Sequence, residues 1–98
     1  MTIRPSVALA QHREEARRIF IRHGLGNPRV FGSAARGTDL ESSDLDVIFD
    51  PGPHTTLFDI SRAHTQLSQL LQVHVDLVPA RQIPLDIRPT LLTESVPL

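Results

Sequence analysis

The chain of 98 residues contains no cysteine, lysine, tyrosine or tryptophan, and its four aromatic residues are all phenylalanine. Without cysteine there is no disulfide framework, no thiol nucleophile and no cysteine-based zinc site, and a reducing compartment, the cytoplasm, is the expected setting. Without lysine there is no P-loop, whose lysine reaches the phosphates, and no Schiff-base chemistry. No run approaches the roughly 18 to 20 apolar residues of a membrane span. The first residues lack the apolar stretch and small-residue cleavage site of a secretion signal. Neither export nor membrane insertion is expected.

What is present, 40% hydrophobic and 21% charged residues, reads as one small soluble domain over residues 1–98. A chain of this size buries about 60 to 70% of its unfolded surface. Its core holds a sheet and a few helices, with no separate substrate-binding domain, so a large substrate must be supplied by another molecule. The formal net charge of -1 conceals an asymmetry: residues 1–28 sum to +3 and residues 29–53 to -3. No basic stripe with interleaved aromatics runs through the chain, so direct DNA binding is not expected.

Ala16, Ile19 and Phe20 fall at helical spacing and Gly24 supplies a stop, which predicts one amphipathic helix from Ser6 to His23. Its arginine-rich side is either a solvated face or a docking face. Gly24 to Pro28 reads as a turn, and its Gly-x-Gly opens no strand–turn–helix unit of the dinucleotide-binding kind. A short strand, Arg29 to Phe31, enters Gly32-Ser33, and a second follows over Asp44 to Phe49. After the turn Asp50-Pro51-Gly52-Pro53, Thr55 or Thr56 caps a helix carrying Leu57, Ile60, Ala63, Leu67, Leu70 and Leu71 on one stripe. A third strand, His74 to Val78, ends at Pro79, and residues 84–98 read as an extended tail with at most a short helix around Thr90 to Glu94. The order predicts an α/β or α+β domain in which a small mixed sheet packs against helices.

Three aspartates stand inside otherwise apolar strands. Asp44 and Asp46 are separated by one residue, so strand alternation points both carboxylates the same way, and Asp76 lies on the next strand. Aspartate is a poor strand former and an unpaired carboxylate is costly to bury. Either each aspartate edges its strand in solvent, or the group holds hard divalent cations, which take oxygen ligands from carboxylates and substrate phosphates. Just upstream, Gly32-Ser33 and Gly37 bracket a loop whose backbone could approach phosphate oxygens, with Ser33 adding a hydroxyl and Arg36 a guanidinium. Standing alone, that loop is a plain turn with a capping glycine.

Taken together, Gly32-Ser33-Ala34-Ala35-Arg36-Gly37, five further residues and Ser43-Asp44-Leu45-Asp46-Val47 resemble the signature of the polymerase-beta-type nucleotidyltransferase superfamily. More narrowly, the chain is similar to the minimal nucleotidyltransferases that pair with HEPN-domain toxins. Leu57-Phe58-Asp59, Val75-Asp76-Leu77-Val78 and the terminal Glu94 to Leu98 extend the resemblance over nearly the whole chain. It implies a polymerase-beta-type fold, with Gly32, Ser33, Arg36 and Ser43 binding nucleotide and Asp44, Asp46 and Asp76 ligating two Mg2+ ions. It also implies transfer of AMP from ATP to a hydroxyl, typically a tyrosine of the partner HEPN toxin, which silences that toxin. The chain has no tyrosine of its own, so such an acceptor lies on another molecule. Ala34 and Ala35 occupy positions that are often bulkier or basic in relatives.

A second expectation, supported by the small size and the arginine-rich first helix, is a non-catalytic antitoxin that neutralises its partner by binding and occlusion. A transferase acting on RNA ends or small molecules ranks last, for want of a second domain. The histidines, His12, His23, His54, His64 and His74, show no paired metal-ligand spacing, and His74, two residues before Asp76, is the best placed of them.

Overall fold

The computed structural model describes residues 3–98. Their centre is a four-stranded mixed sheet in the order β3-β2-β1-β4. β1 is Leu25–Phe31, β2 Leu45–Pro51, β3 Val75–Pro79 and β4 Val96–Pro97. The helices are α1 (Pro5–Gln11), α2 (Arg13–Arg22), α3 (Gly32–Arg36), α4 (Leu57–Leu71) and α5 (Arg88–Glu94), with a short 3-10 turn at Ala80–Gln82. The expected mixed sheet packed against helices is therefore present. β1 runs antiparallel to β2 and β4, whereas β2 and β3 are parallel and are joined through α4, the crossover that a parallel pair requires.

α4 forms where its local chemistry demands. Thr56 Oγ1 accepts the Asp59 amide at 3.2 Å, and Asp59 Oδ2 accepts the Thr56 amide at 2.8 Å, closing a capping box. Ala63, Leu67 and Leu71, four residues apart, are buried together against the sheet. On β2 the residues alternate: Leu45, Val47 and Phe49 enter the core with Phe20, Leu25 and Val75, while Asp46 and Ile48 face the other way. The 3-10 turn packs against β2, and Ile48 and Ile83 are buried outside the main core cluster.

Three expectations need correction. The helix read from Ser6 to His23 is broken at His12, whose φ of -125° and ψ of 26° are not helical. Both halves bury an apolar stripe, Ala8 and Leu9 in α1 and Ala16, Ile19 and Phe20 in α2, but the polar pair His12-Arg13 interrupts the stripe between them, and the chain turns there.

The segment read as a turn from Gly24 to Pro28 is mostly strand, since β1 begins at Leu25, which is buried. Asn27, at a φ of 45°, and Pro28, which has no N–H, are absorbed by a register irregularity between Gly26 and Arg29.

The expected extended tail over 84–98 is ordered structure. α5 covers the helix foreseen near Thr90, and β4 then pairs with β1, Val96 opposite Val30. Arg29 Nε donates to Ser95 Oγ at 2.7 Å and Arg17 Nε to the Leu98 carbonyl at 2.9 Å, while Leu98 is buried.

Candidate active site

The site is assembled where β1 ends and β2 and β3 begin, side by side. The parallel register places Leu45 opposite Val75 and Asp46 opposite Asp76, so His74 stands beside Asp44 one step before. The Leu45 amide donates to the His74 carbonyl at 2.8 Å, which ties the two chains together at that step. Two residues per strand therefore project on one face in a two-by-two arrangement, Asp44 and Asp46 from β2 and its approach, His74 and Asp76 from β3 and its approach. His74 Nδ1 lies 3.3 Å from Asp44 Oδ1 and 3.9 Å from Asp76 Oδ1. Ligand atoms of Asp44, His74 and Asp76 all fall within 4.8 Å of one another.

Asp46 is the half-buried corner. Its burial, followed by the charge and hydrogen bond of Asp76 and the charge of Asp44, holds its carboxyl above the usual range, and His74 opposes the rise. A carboxylate crowded by two others on one face costs free energy unless positive charge arrives. Two carboxylates and an imidazole, those of Asp44, Asp76 and His74, lie close enough to share a divalent cation, with Asp46 adjoining, and side-chain exposures of 47 to 65% at the three leave room for a substrate.

The Gly32-Ser33 segment takes a different form from the open loop read in the sequence. β1 ends at Phe31 in extended backbone, Gly32 turns the chain at a φ of +73°, and α3 starts at once, closing at Gly37 in the left-handed conformation. Phe31 is the register partner of Asp46. A Cβ on Gly32 would stand 3.0 Å from Asp46 Oδ2, so glycine is required here both by the backbone angle and by the close carboxylate. Ser33 follows in the first turn of α3 and is half-buried.

Arg36 ends α3 exposed, and it makes no ion pair among the described residues. Ser43 is engaged locally: its hydroxyl accepts the Leu40 amide at 2.9 Å, closing the turn that delivers Asp44. The structure thus brings Gly32, Asp44, Asp46 and Asp76 together, with Ser33 beside them, and leaves Arg36 and Ser43 at the rim.

His74, singled out among the histidines for standing two residues before Asp76, belongs in the cluster, and His74-x-Asp76 repeats the alternation of Asp44-x-Asp46. One residue escaped the sequence reading. Asp39, counted there only as charge, is buried and accepts both the amide and the hydroxyl of Ser6 at 2.8 Å, capping α1 from a distance. An apolar groove of about 420 Å3, lined by Phe20, Ile21, Leu25 and Leu98 among others, sits at the opposite end of β1. It is separated from the carboxylates by about 20 Å of strand and holds no part of their chemistry.

Comparison with known proteins bears on this arrangement. The family profile described as "Nucleotidyltransferase domain" matches residues 9–97. A solved structure described as a candidate minimal nucleotidyltransferase is 39% identical, with a TM-score of 0.87 and 95% of each chain covered. A toxin–antitoxin structure with AMP-PNP superposes with a TM-score of 0.71 at 20% identity, over 86% of this chain and 69% of that one. The toxin–antitoxin pair MntA-HpeT gives 0.66 at 18% identity, over 88% and 69%. These last two show likeness of fold. No curated protein matches the chain.

Proposed function

The chain belongs to the nucleotidyltransferase-domain family, and from that premise we propose that it is a Mg2+-dependent enzyme transferring AMP from ATP to a hydroxyl, a tyrosine of a HEPN-type toxin, thereby acting as that toxin's antitoxin. The observation that carries the reading is the register of Asp46 against Asp76 beside Asp44 and Gly32, which gathers three carboxylates at the start of a strand-to-helix turn.

In this reading Asp44, Asp46 and Asp76 would hold the cations. Divalent cations held there would supply charge neutralisation of the triphosphate and polarisation of its α-phosphorus. Gly32, lacking a side chain, leaves its backbone open to a phosphate, and the Ser33 hydroxyl adds a donor. Arg36, exposed and free of ion pairs among the described residues, is available to a phosphate oxygen at the rim. Asp76 Oδ accepts the proton of the incoming hydroxyl. The oxygen–phosphorus bond to the acceptor forms as the bond to pyrophosphate breaks, so AMP passes to the acceptor and pyrophosphate leaves.

Several facts support a protein acceptor. The chain has no tyrosine, so a tyrosine acceptor lies on another molecule. The fold is shared with toxin–antitoxin structures, one of them holding AMP-PNP, an ATP analogue. No helix among the described residues is long and apolar enough to cross a membrane.

The test is to incubate the protein, its co-encoded partner, ATP labelled at the α-phosphate and Mg2+. Label on the partner that disappears with Asp46→Asn is the expected result. A stable complex without label overturns transfer and leaves occlusion as the antitoxin mechanism.

A further inference from the structure

We propose that Asp39 is a positioning residue: clamped on Ser6 of α1, its carboxylate fixes the link that carries Asp44 from α3 to β2, and so acts on the transfer reaction through Asp44. The inference rests on the reading of Asp44 as part of the transfer site and adds to that site a residue that does not line it.

The burial pattern carries it first. Residues 37–44 join α3 to β2, and among the described residues of this link Asp39 alone is buried, at 1% exposure. Its neighbour Leu40 is 67% exposed, so no apolar side chain pins the link to the core. What holds it is a pair of bonds across 33 residues of chain: Asp39 Oδ2 accepts the Ser6 amide and Asp39 Oδ1 the Ser6 hydroxyl, each at 2.8 Å. A buried carboxylate is costly unless its oxygens are engaged, and two charge-assisted bonds to one residue set direction as well as distance.

The anchor itself is firm, since α1 packs against α2, α3 and α4 and buries Ala8 and Leu9 in the core. The other bonds of the link are local. The Thr38 amide donates to the Ser33 carbonyl at 3.0 Å, and the Ser43 amide to the Leu40 carbonyl at 2.9 Å. Among the described residues, no hydrogen bond of residues 37–43 other than those of Asp39 reaches beyond α3. Asp44 follows at once and precedes the first register pair of β2 with β3, Leu45 opposite Val75. Its backbone is therefore placed by the link on one side and by the ladder on the other. Without the clamp the first of these is loose, and a misplacement of about 1 Å at a reacting centre costs on the order of a hundredfold in rate.

The experiment uses the full chain with its co-encoded partner and three variants. Asp39→Ala removes the clamp and Ser6→Ala removes one of its two bonds. Asp39→Asn keeps both, because the amide accepts the Ser6 N–H and donates to the Ser6 hydroxyl. At a temperature where circular dichroism shows the variants folded, kcat for labelling of the partner is expected to fall about tenfold in Asp39→Ala and less in Ser6→Ala, while Asp39→Asn stays within about twofold of the wild type. Amide hydrogen exchange supplies a readout that a general loss of stability does not imitate. Leu40 and Ser43 are expected to exchange faster in Asp39→Ala out of proportion to the amides of β2, which report global opening. Should Asp39→Ala fail to fold, Ser6→Ala carries the same two readouts. Wild-type transfer in the folded variant, an Asp39→Asn as slow as Asp39→Ala, or faster exchange spread evenly over Leu40, Ser43 and β2 overturns the inference and leaves the transfer reading standing. A wild type that leaves the partner unlabelled overturns both.

Discussion

Gly32 and Asp46 are in mutual contact across the β1–β2 pair: the position of a Cβ on Gly32 is 3.0 Å from Asp46 Oδ2, and Gly32 holds a φ of +73°. One residue thus turns the chain out of the sheet and bounds the half-buried carboxylate of the site. Gly32→Ala is expected to cost roughly 1–2 kcal/mol of stability for an L-residue in the left-handed region. It also pushes the Asp46 carboxylate aside by a few tenths of an ångström, so turnover is expected to fall by less than the roughly hundredfold that a displacement of about 1 Å at a reacting centre costs. Thermal unfolding and AMP transfer measured on the same preparation check both. Full activity in a folded variant would show that Asp46 does not need this wall.

Asp46→Asn separates the electrostatics from the chemistry. Asp46 is held above the usual carboxyl range by its burial, by Asp76 and by Asp44. The charged form is therefore a liability in the metal-free protein at neutral pH. Removing the charge leaves an amide able to donate to Asp76. The variant is expected to melt a few degrees higher than the wild type in chelator. Mg2+ should raise the melting temperature of the wild type by mass action and that of the variant much less. Scanning fluorimetry with and without Mg2+ reads this directly. A variant less stable than the wild type in chelator would count against a strained carboxylate cluster.

How much of this was legible in the sequence depends on the range of the forces involved. α4 was readable because Thr56, Asp59 and its apolar stripe act within a few turns of one another. The shared face of Asp44 and Asp46 followed from alternation alone. The rest depends on partners far along the chain. Ser6 and Asp39 are 33 residues apart, and Arg29 and Ser95 are 66 apart, so neither the cap of α1 nor the pairing of β4 leaves a local pattern. The sequence placed His74 near Asp76 but not beside Asp44, because that neighbourhood follows from the parallel register of β2 and β3. The break at His12 shows a local signal misread, since a polar pair within an apolar stripe marked it.

Asp39 makes acid stability a readable quantity. Burial alone would raise its carboxyl, but the amide and hydroxyl of Ser6, with the charge of Arg4, outweigh this and hold it below the ordinary value of 3.8. A depressed carboxyl contributes stability that is present above the unfolded value and lost as the pH falls through the folded one. Asp39→Ala is expected to cost about 2 kcal/mol near neutral pH, where a buried charged cap is removed and the Ser6 donors are orphaned. The gap between wild type and variant should narrow below pH 3.8. Denaturant melts at several pH values check it. Parallel stability curves across that range would mean that Asp39 titrates alike in the folded and unfolded chain.

Asp76→Asn decides between transfer and occlusion. Asp76 stands in register with Asp46 on β3, with its side chain 47% exposed and outside the apolar core, so an isosteric amide leaves the sheet and the outer surface unchanged. An amide cannot accept the acceptor's proton and is a weaker cation ligand. Transfer is therefore expected to fall by at least about a hundredfold, the low end of what a general base supplies. Binding to the partner should persist, because nothing on the surface has changed beyond one charge. Two readouts on one variant then separate the mechanisms: labelling of the partner, and protection of cells that express it. Loss of both with the complex intact is the result expected of an enzyme whose product is the silenced toxin. Protection retained without labelling would make the contact itself the antidote, and the carboxylate cluster would then serve some purpose other than neutralisation.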